Sequence, residues 1–475
     1  MNISTKLSKA PLYLAIFILA TVPLLFGAVH PIVYGSYVVL VLVGLGSWLC
    51  FFVPWQQSIL TGKAWLLPLV LILFYTAFQS IPLPLSWVEI LSPARAYRVQ
   101  MVNSLAETQQ NFISLSDHGL LGLTRVILLF ALLVYYLSLK ILMQSDNKVF
   151  HIIFLIIIFL GVLEALYGLF QFLNPRIGIL WLPTRSRAAS GTIIYKNQFA
   201  SFLNMCWPFA LAGVTICLTG NTRSSGKRHR RQKLRERLKR MDVMAKRAPL
   251  FFLATIIMLL AVLFSLSRGG IISMFLVMLL LNMFLPIARK PKFIFLGLFL
   301  FFILGYSSLL GLDTLLTRFN NIGSSGSGRW GVYVASLPML RDHFLTGIGF
   351  GSYSLLSPVY LKGITNLHHF DKAHNEYLQL AIELGVPMAL FFFSWLFWVM
   401  IMAWKKLLNR IRMSEQHVDS TLVIGSAAFC GLMGFLIHGA IDFGWHLPAN
   451  LFFATTLAAV LSHSVSETSE KKIKH

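Results

Sequence analysis

Apolar residues along this chain come in long unbroken runs rather than at every second or fourth position, and the polar residues gather in the gaps. A helix needs roughly 20 apolar residues to cross the roughly 30 Å hydrocarbon core of a bilayer. Runs of that length recur about twelve times, over 11–30, 32–54, 65–83, 119–143, 148–173, 197–219, 249–267, 270–287, 293–312, 377–403, 420–440 and 447–465. This pattern predicts an all-α polytopic membrane protein with about 12 transmembrane helices, in which 1–475 form a single integral membrane domain. The first run follows Lys6 and Lys9 as a signal peptide would. Its length and the lack of a small-residue cleavage site favour a retained helix.

Composition narrows the class further. Of 475 residues, 57% are hydrophobic and 12% charged, with a mean hydropathy of +0.73. Soluble domains are about half apolar and a quarter charged, so a water-soluble enzyme with one large core is excluded, as is a disordered chain. Cys50, Cys206, Cys217 and Cys430 all lie inside apolar runs, which implies no disulfide framework.

A net charge of +23 would suggest nucleic acid in a soluble chain, but here position decides its meaning. With the N-terminus inside, most Lys and Arg fall in inner connections, including the dense tract from Arg223 to Arg247, so both termini are expected in the cytoplasm. The 220–248 segment then reads as a basic cytoplasmic loop anchored on anionic lipid headgroups, with Leu234, Leu238 and Met241 on one helical face. No nucleic-acid partner is expected. Nor is an internal repeat visible, so the inverted halves of many secondary transporters are missing.

Chemistry is expected in the outer connections: 84–118, 174–196, the Ser267-Arg268-Gly269-Gly270 turn and a large periplasmic loop over 313–376. A loop longer than about 15 residues is usually functional, and this one mixes Trp330, Val332, Tyr333, Leu337, Met339 and Leu340 with Arg329, Arg341 and Asp342, as short helices resting on a bilayer surface would. At its end His374 stands at the mouth of a helix, within Lys372 to Gly385. An imidazole there can act as general base for a hydroxyl nucleophile, or simply cap the helix. Arg268 follows an apolar span and precedes two glycines, Arg329 follows a Gly-Ser-Gly lead, and Lys196 ends the outer side of a span. Convergent guanidinium groups bind phosphate oxygens bidentately and suit a diphosphate, whereas each alone is an ordinary interfacial cation. Asn375, Glu383, His438 and Asp442 are candidates for supporting roles. His438 and Asp442 lie one helical turn apart and also read as a mutually satisfied pair, and Glu164 as a buried hydrogen-bonding partner or a functional carboxylate. A rival reading gives His368, His369, Asp371 and His374 to a divalent metal, although their spacing matches no defined zinc motif.

Taken in order, several pieces resemble the O-antigen ligase and polymerase superfamily of bacterial inner-membrane glycosyltransferases. They are Phe26 to Pro31, Gln79 to Pro84 with Leu91-Ser92-Pro93, Tyr167 to Gln171, Ser190-Gly191-Thr192, Lys196 to Ala200, Ser267-Arg268-Gly269, Gly328-Arg329-Trp330, Gly347 to Gly351, His374-Asn375 to Gly385, His438 to Asp442, and Pro448-Ala449-Asn450. The resemblance implies transfer of a glycan from an undecaprenyl-diphosphate donor to an acceptor hydroxyl at the periplasmic face, with no metal, cofactor or nucleotide sugar at that step. The acceptor would be lipid A core, a glycan repeat unit or a protein. The family's histidine matches His374 and its diphosphate-holding arginines match Arg268 and Arg329. Lys196 and Gln198 depart from the Arg and His of many relatives. Two other classes compete: a transporter or flippase of the same lipid-linked glycan, and a structural subunit of an assembly complex.

Overall fold

The computed structural model describes residues 9–53, 67–107, 109–184, 187–219, 247–284, 297, 329–361, 370–413 and 419–466. In chain order the helices are α1 (Ala10–Thr21), α2 (Pro31–Phe52), α3 (Leu67–Ser80), α4 (Leu85–Leu91), α5 (Pro93–Ala106), α6 (Gly119–Ser145), α7 (Asn147–Leu173), α8 (Lys196–Thr219), α9 (Ala248–Phe264) and α10 (Arg268–Phe284). They continue with α11 (Arg329–Asp342), α12 (Tyr353–Tyr360), α13 (Glu376–Leu384), α14 (Val386–Met413), α15 (Ser420–Gly439) and α16 (Pro448–Ser466). One small antiparallel pair joins β1 (Pro82–Pro84) to β2 (Phe112–Ser114), with Leu83 opposite Ile113.

Among the described residues, seven helices are long and apolar enough to cross a membrane: α2, α6, α7, α8, α14, α15 and α16. The shorter apolar helices α1, α3, α9 and α10 occupy four further expected spans. The protein is an integral membrane protein of helical class. The expected span at 293–312 lies outside the described residues, as do most of the basic tract at 220–248 and the loop stretches 313–328 and 362–369.

Two spans differ from the expectation. The helix expected over 11–30 ends at Thr21, because the chain turns through a 3-10 segment in which Gly27 has φ +66°. The span expected over 377–403 is two helices, parted at Gly385 with φ +81°. A Cβ there would lie 2.5 Å from the Leu345 carbonyl oxygen, so glycine is what lets the two backbones touch. The break keeps the polar Glu376, Gln379 and Glu383 on a separate short helix instead of carrying them into a span.

The chain divides into two compact units, residues 1–62, 130–286 and 398–475, and residues 63–129 and 287–397. In the first, α8 is buried nearly all round and packs against α9, α15 and α7. Small residues allow this closeness: a Cβ on Gly161 of α7 would lie 2.6 Å from that of Cys206 on α8. Two polar residues seven apart on α7 hold the loop that leads into α8. Glu164 accepts the Thr192 hydroxyl at 2.5 Å and the Thr192 N–H at 2.8 Å, while the Gln171 amide donates to the Gly178 and Gly191 carbonyls, both at 2.7 Å. The buried Glu164 is thus a hydrogen-bonding partner that fixes the Ser190-Gly191-Thr192 turn.

Among the described residues of the second unit are two small apolar clusters. One joins Leu83, Val88, Ala96, Val99, Ile113 and Leu115. The other joins Met339, Ile348, Tyr353, Leu356, Ala373 and Ile382. Polar groups bridge them: the Gln79 amide donates to the Thr346 carbonyl at 2.7 Å and the Glu383 carbonyl at 3.0 Å, and the Asp117 N–H donates to the Ile348 carbonyl at 2.9 Å. Buried backbone groups without a regular ladder must find such partners, so side chains here do the work of secondary structure.

Candidate active site

His374 belongs to the second unit and has φ +54°, a left-handed conformation that costs a non-glycine residue about 1–2 kcal/mol. Its surroundings hold it there. The Tyr333 hydroxyl of α11 donates to the His374 carbonyl at 2.8 Å. Phe370 meets the imidazole edge-on, with centroids 6.2 Å apart. Next in the chain, Asn375 leaves the helical region and its side chain accepts the Leu378 N–H at 3.0 Å, capping α13. The helix cap is therefore Asn375, and the imidazole of His374 is half-buried.

Behind His374 runs a buried relay. Gln379 accepts the Ala373 N–H at 3.0 Å and donates to Glu383, one helical turn on, at 3.0 Å. Glu383 in turn accepts the N–H groups of Gly351 at 2.8 Å and Tyr353 at 3.3 Å. The turn it grips carries Gly347, Gly349 and Gly351, all with positive φ. Lys372 stands beside this relay: burial pulls its ammonium below the usual lysine range, Arg125 acts in the same sense, and Glu383, Glu376 and Asp371 oppose them.

A second polar group ties α5 to the end of α11. Asp117 accepts from Arg95 at 2.7 Å and from Arg98 at 2.9 and 3.0 Å. The other Arg98 nitrogen donates to His343 Nε2 at 3.0 Å. A guanidinium only donates, so Nε2 is the acceptor and the proton sits on Nδ1, facing the Ser92 hydroxyl at 3.3 Å. Burial first, then Arg98, lowers the His343 pKa to about 4.

The three predicted cations share one placement. Lys196 opens α8, Arg268 opens α10 and Arg329 opens α11, and none of these helices has an acid in its first turn. A helix N-terminus already carries about half a positive charge, so acids are what stability alone would select there. Cation and dipole add instead, which makes each end attractive to an anion. Within the second unit, Arg329 lies one turn before Tyr333 and so shares the face of α11 that reaches the His374 backbone. Within the first, a Cβ on Gly269 would lie 3.2 Å from His438 Nε2, so Arg268 adjoins the end of α15. Tyr195 packs edge-on against Phe443, which sets Lys196 near Asp442. His438 and Asp442 are both buried, joined through backbone by the Asp442 N–H and the His438 carbonyl at 3.0 Å. Of the rival metal set, Asp371 and His374 are described and His368 and His369 lie outside the described residues.

Residues 253–393, from within α9 to the start of α14, match the family model described as O-antigen ligase. The match supports the chain's membership of the O-antigen ligase and polymerase superfamily. No curated protein matches it. The family match supports glycan transfer in surface polysaccharide biosynthesis, by a membrane enzyme of glycosyltransferase type acting on lipid-linked glycan and acceptor. The matched segment holds Arg268, Arg329, His374, Asn375 and Glu383, and leaves out Lys196, His438 and Asp442. Sequence reasoning gave Tyr333, Gln379 and Lys372 no role of their own, and missed Arg125 and the Arg98–His343 contact. The Gly-x-Gly-x-Gly spacing at 347–351 was the available signal, since three such glycines mark a turn that something must hold.

Proposed function

We propose that this protein transfers a glycan from undecaprenyl diphosphate to an acceptor hydroxyl at the periplasmic face of the inner membrane, with both termini in the cytoplasm. His374 takes the proton of the acceptor hydroxyl as its oxygen attacks the anomeric carbon. The bond from that carbon to the diphosphate breaks, and the lipid diphosphate leaves with the electron pair. Arg268, Arg329 and Lys196 balance the charge that develops on it, which fixed cations in a water-poor site do more strongly than water. That charge compensation supplies what a metal ion would otherwise give, so the step is assigned no metal. Glu383 and Asn375 position the histidine, and His438 and Asp442 order the turn that carries Arg268.

The placement of all three cations at helix N-termini, against the preference of the helix dipole, carries this reading. The test is reconstituted transfer in detergent with no ion gradient. His374→Ala should lower it by about 10²–10⁴-fold and Arg268→Ala by about 10²–10³-fold, with both variants inserted at normal levels. Wild-type rates in both variants would end the proposal. Movement of the lipid-linked glycan across the bilayer without bond cleavage would make the protein a flippase instead.

A further inference from the structure

The helix pair α4–α5 has a face that the glycan-transfer reading does not use. Inward, Val88, Ala96 and Val99 fill the small core against β1 and β2. On the opposite side of α5, Ala94, Tyr97, Met101 and Leu105 recur at helical spacing, and Leu105 is 81% exposed. On α4, Trp87 and Ile90 are 60% and 76% exposed. The polar side chains are engaged elsewhere: Gln100 donates to Glu89 at 2.7 Å, Asn103 bonds the Gln110 backbone, and Arg95 and Arg98 turn to Asp117. A short helix apolar on both sides needs two apolar surroundings.

Position supplies the second one. The pair emerges between the end of α3 and the start of α6, and these two ends adjoin, since a Cβ on Gly119 would lie 3.2 Å from the Ser80 carbonyl oxygen. Both helices carry exposed apolar stripes up to that point: Leu71, Phe74, Phe78 and Ile81 along α3 and its exit, and Leu120, Leu123 and Ile127 along α6. In an integral membrane protein such stripes face acyl chains. Trp87 and Ile90 continue the exposed apolar surface within a few residues of where α3 ends, and Tyr and Trp are the side chains that favour the headgroup level.

We propose that α4–α5 lies in the membrane interface, with Trp87, Ile90, Tyr97, Met101 and Leu105 sunk into the lipid leaflet beside α3 and α6. The occupant of this face is lipid. The same pair holds His343 through Arg98 and Thr346 through the Leu91 carbonyl, so its depth sets the depth of the Gly347–Gly351 turn. Lipid docking itself does not depend on the transfer reaction.

The test places a polarity-sensitive dye on Leu105→Cys, Met101→Cys and, for comparison, Gln100→Cys, each in full-length protein with the exposed Cys50 replaced by serine and reconstituted into phosphatidylglycerol-containing nanodiscs. At 101 and 105 a nitroxide near the lipid headgroup should quench the dye about twofold more than one near the acyl terminus, as burial of about 5–10 Å requires, with little quenching by aqueous iodide. At 100 iodide should quench strongly. Iodide quenching at 101 and 105 equal to that at 100 overturns the proposal. Protection from both quenchers, with Leu105→Cys forming an intermolecular disulfide, also overturns it and assigns the face to a second copy. These readouts need no glycan transfer, so their failure and that of the proposed reaction are separable.

Discussion

Two buried glutamates show how differently the two units are built. Glu164 and Glu383 do the same job, each accepting backbone N–H from a glycine-containing turn, one such group at Glu164 and two at Glu383. Around Glu164 the turn is laid on a helix bundle that close packing already defines. Around Glu383 the described residues form no such bundle, and the turn, the relay to Ala373 and the conformation of His374 depend on one another. The proposed reaction thus uses an imidazole whose costly geometry is set by hydrogen bonds rather than by helix packing.

Glycine substitutions probe this contrast most severely. A Cβ at Gly347 would meet the Glu383 carbonyl oxygen at 2.3 Å with φ at +69°, whereas one at Gly270, in the bundle, meets the Ala200 side chain at 2.5 Å in a helix. Gly347→Ala should cost about 3 kcal/mol or more and abolish transfer, and Gly270→Ala less, read by thermal inactivation in detergent. Equal losses would erase the distinction drawn between the units. Glu383→Gln should follow at about 2 kcal/mol, the loss of charge-assisted acceptance, and should lower transfer further than its stability loss explains. Glu164→Gln should lose comparable stability but retain transfer in the protein that remains folded.

The His343 contact gives a pH dependence. Its folded pKa, about 4, lies below the ordinary 6.5, so the unfolded chain binds the extra proton first as pH falls. The contribution is complete above about pH 6.5 and is lost between there and about pH 4, amounting to about 1–2 kcal/mol between pH 7 and 5. His343→Gln should flatten the curve of thermal stability against pH over that window. The smallest effect is the most telling for the proposed site. Arg329→Glu should raise stability by about 0.3–1 kcal/mol, because an acid suits a helix N-terminus, while transfer falls. Lower stability together with unchanged transfer would remove Arg329 from the site.

Helix positions were legible because each span answers to the bilayer locally: a run of about 20 apolar residues needs no distant partner to be a helix. The cap at Asn375 carries the same kind of local signal, a cap-forming residue before an apolar run, although the sequence reading gave the capping alternative to His374. The parting at Gly385 was not, since it depends on Leu345 lying against that glycine. Nor was Arg98 beside His343, or Tyr333 bonding the His374 carbonyl, because these partners are remote in the chain and their hydrogen bonds leave no periodicity to read.

The amino-acid sequence by itself determined that the chain enters the membrane, where most of its described helices run and which cations and imidazole stand at their ends, because hydrophobicity and capping act over a few turns of backbone. Tertiary structure alone decided that His374 takes a left-handed conformation and that Glu383, through Gln379, reaches the residue before it. Those features exist only when separate segments share buried polar groups, and the requirement that each such group find a partner is met in three dimensions and not along the chain.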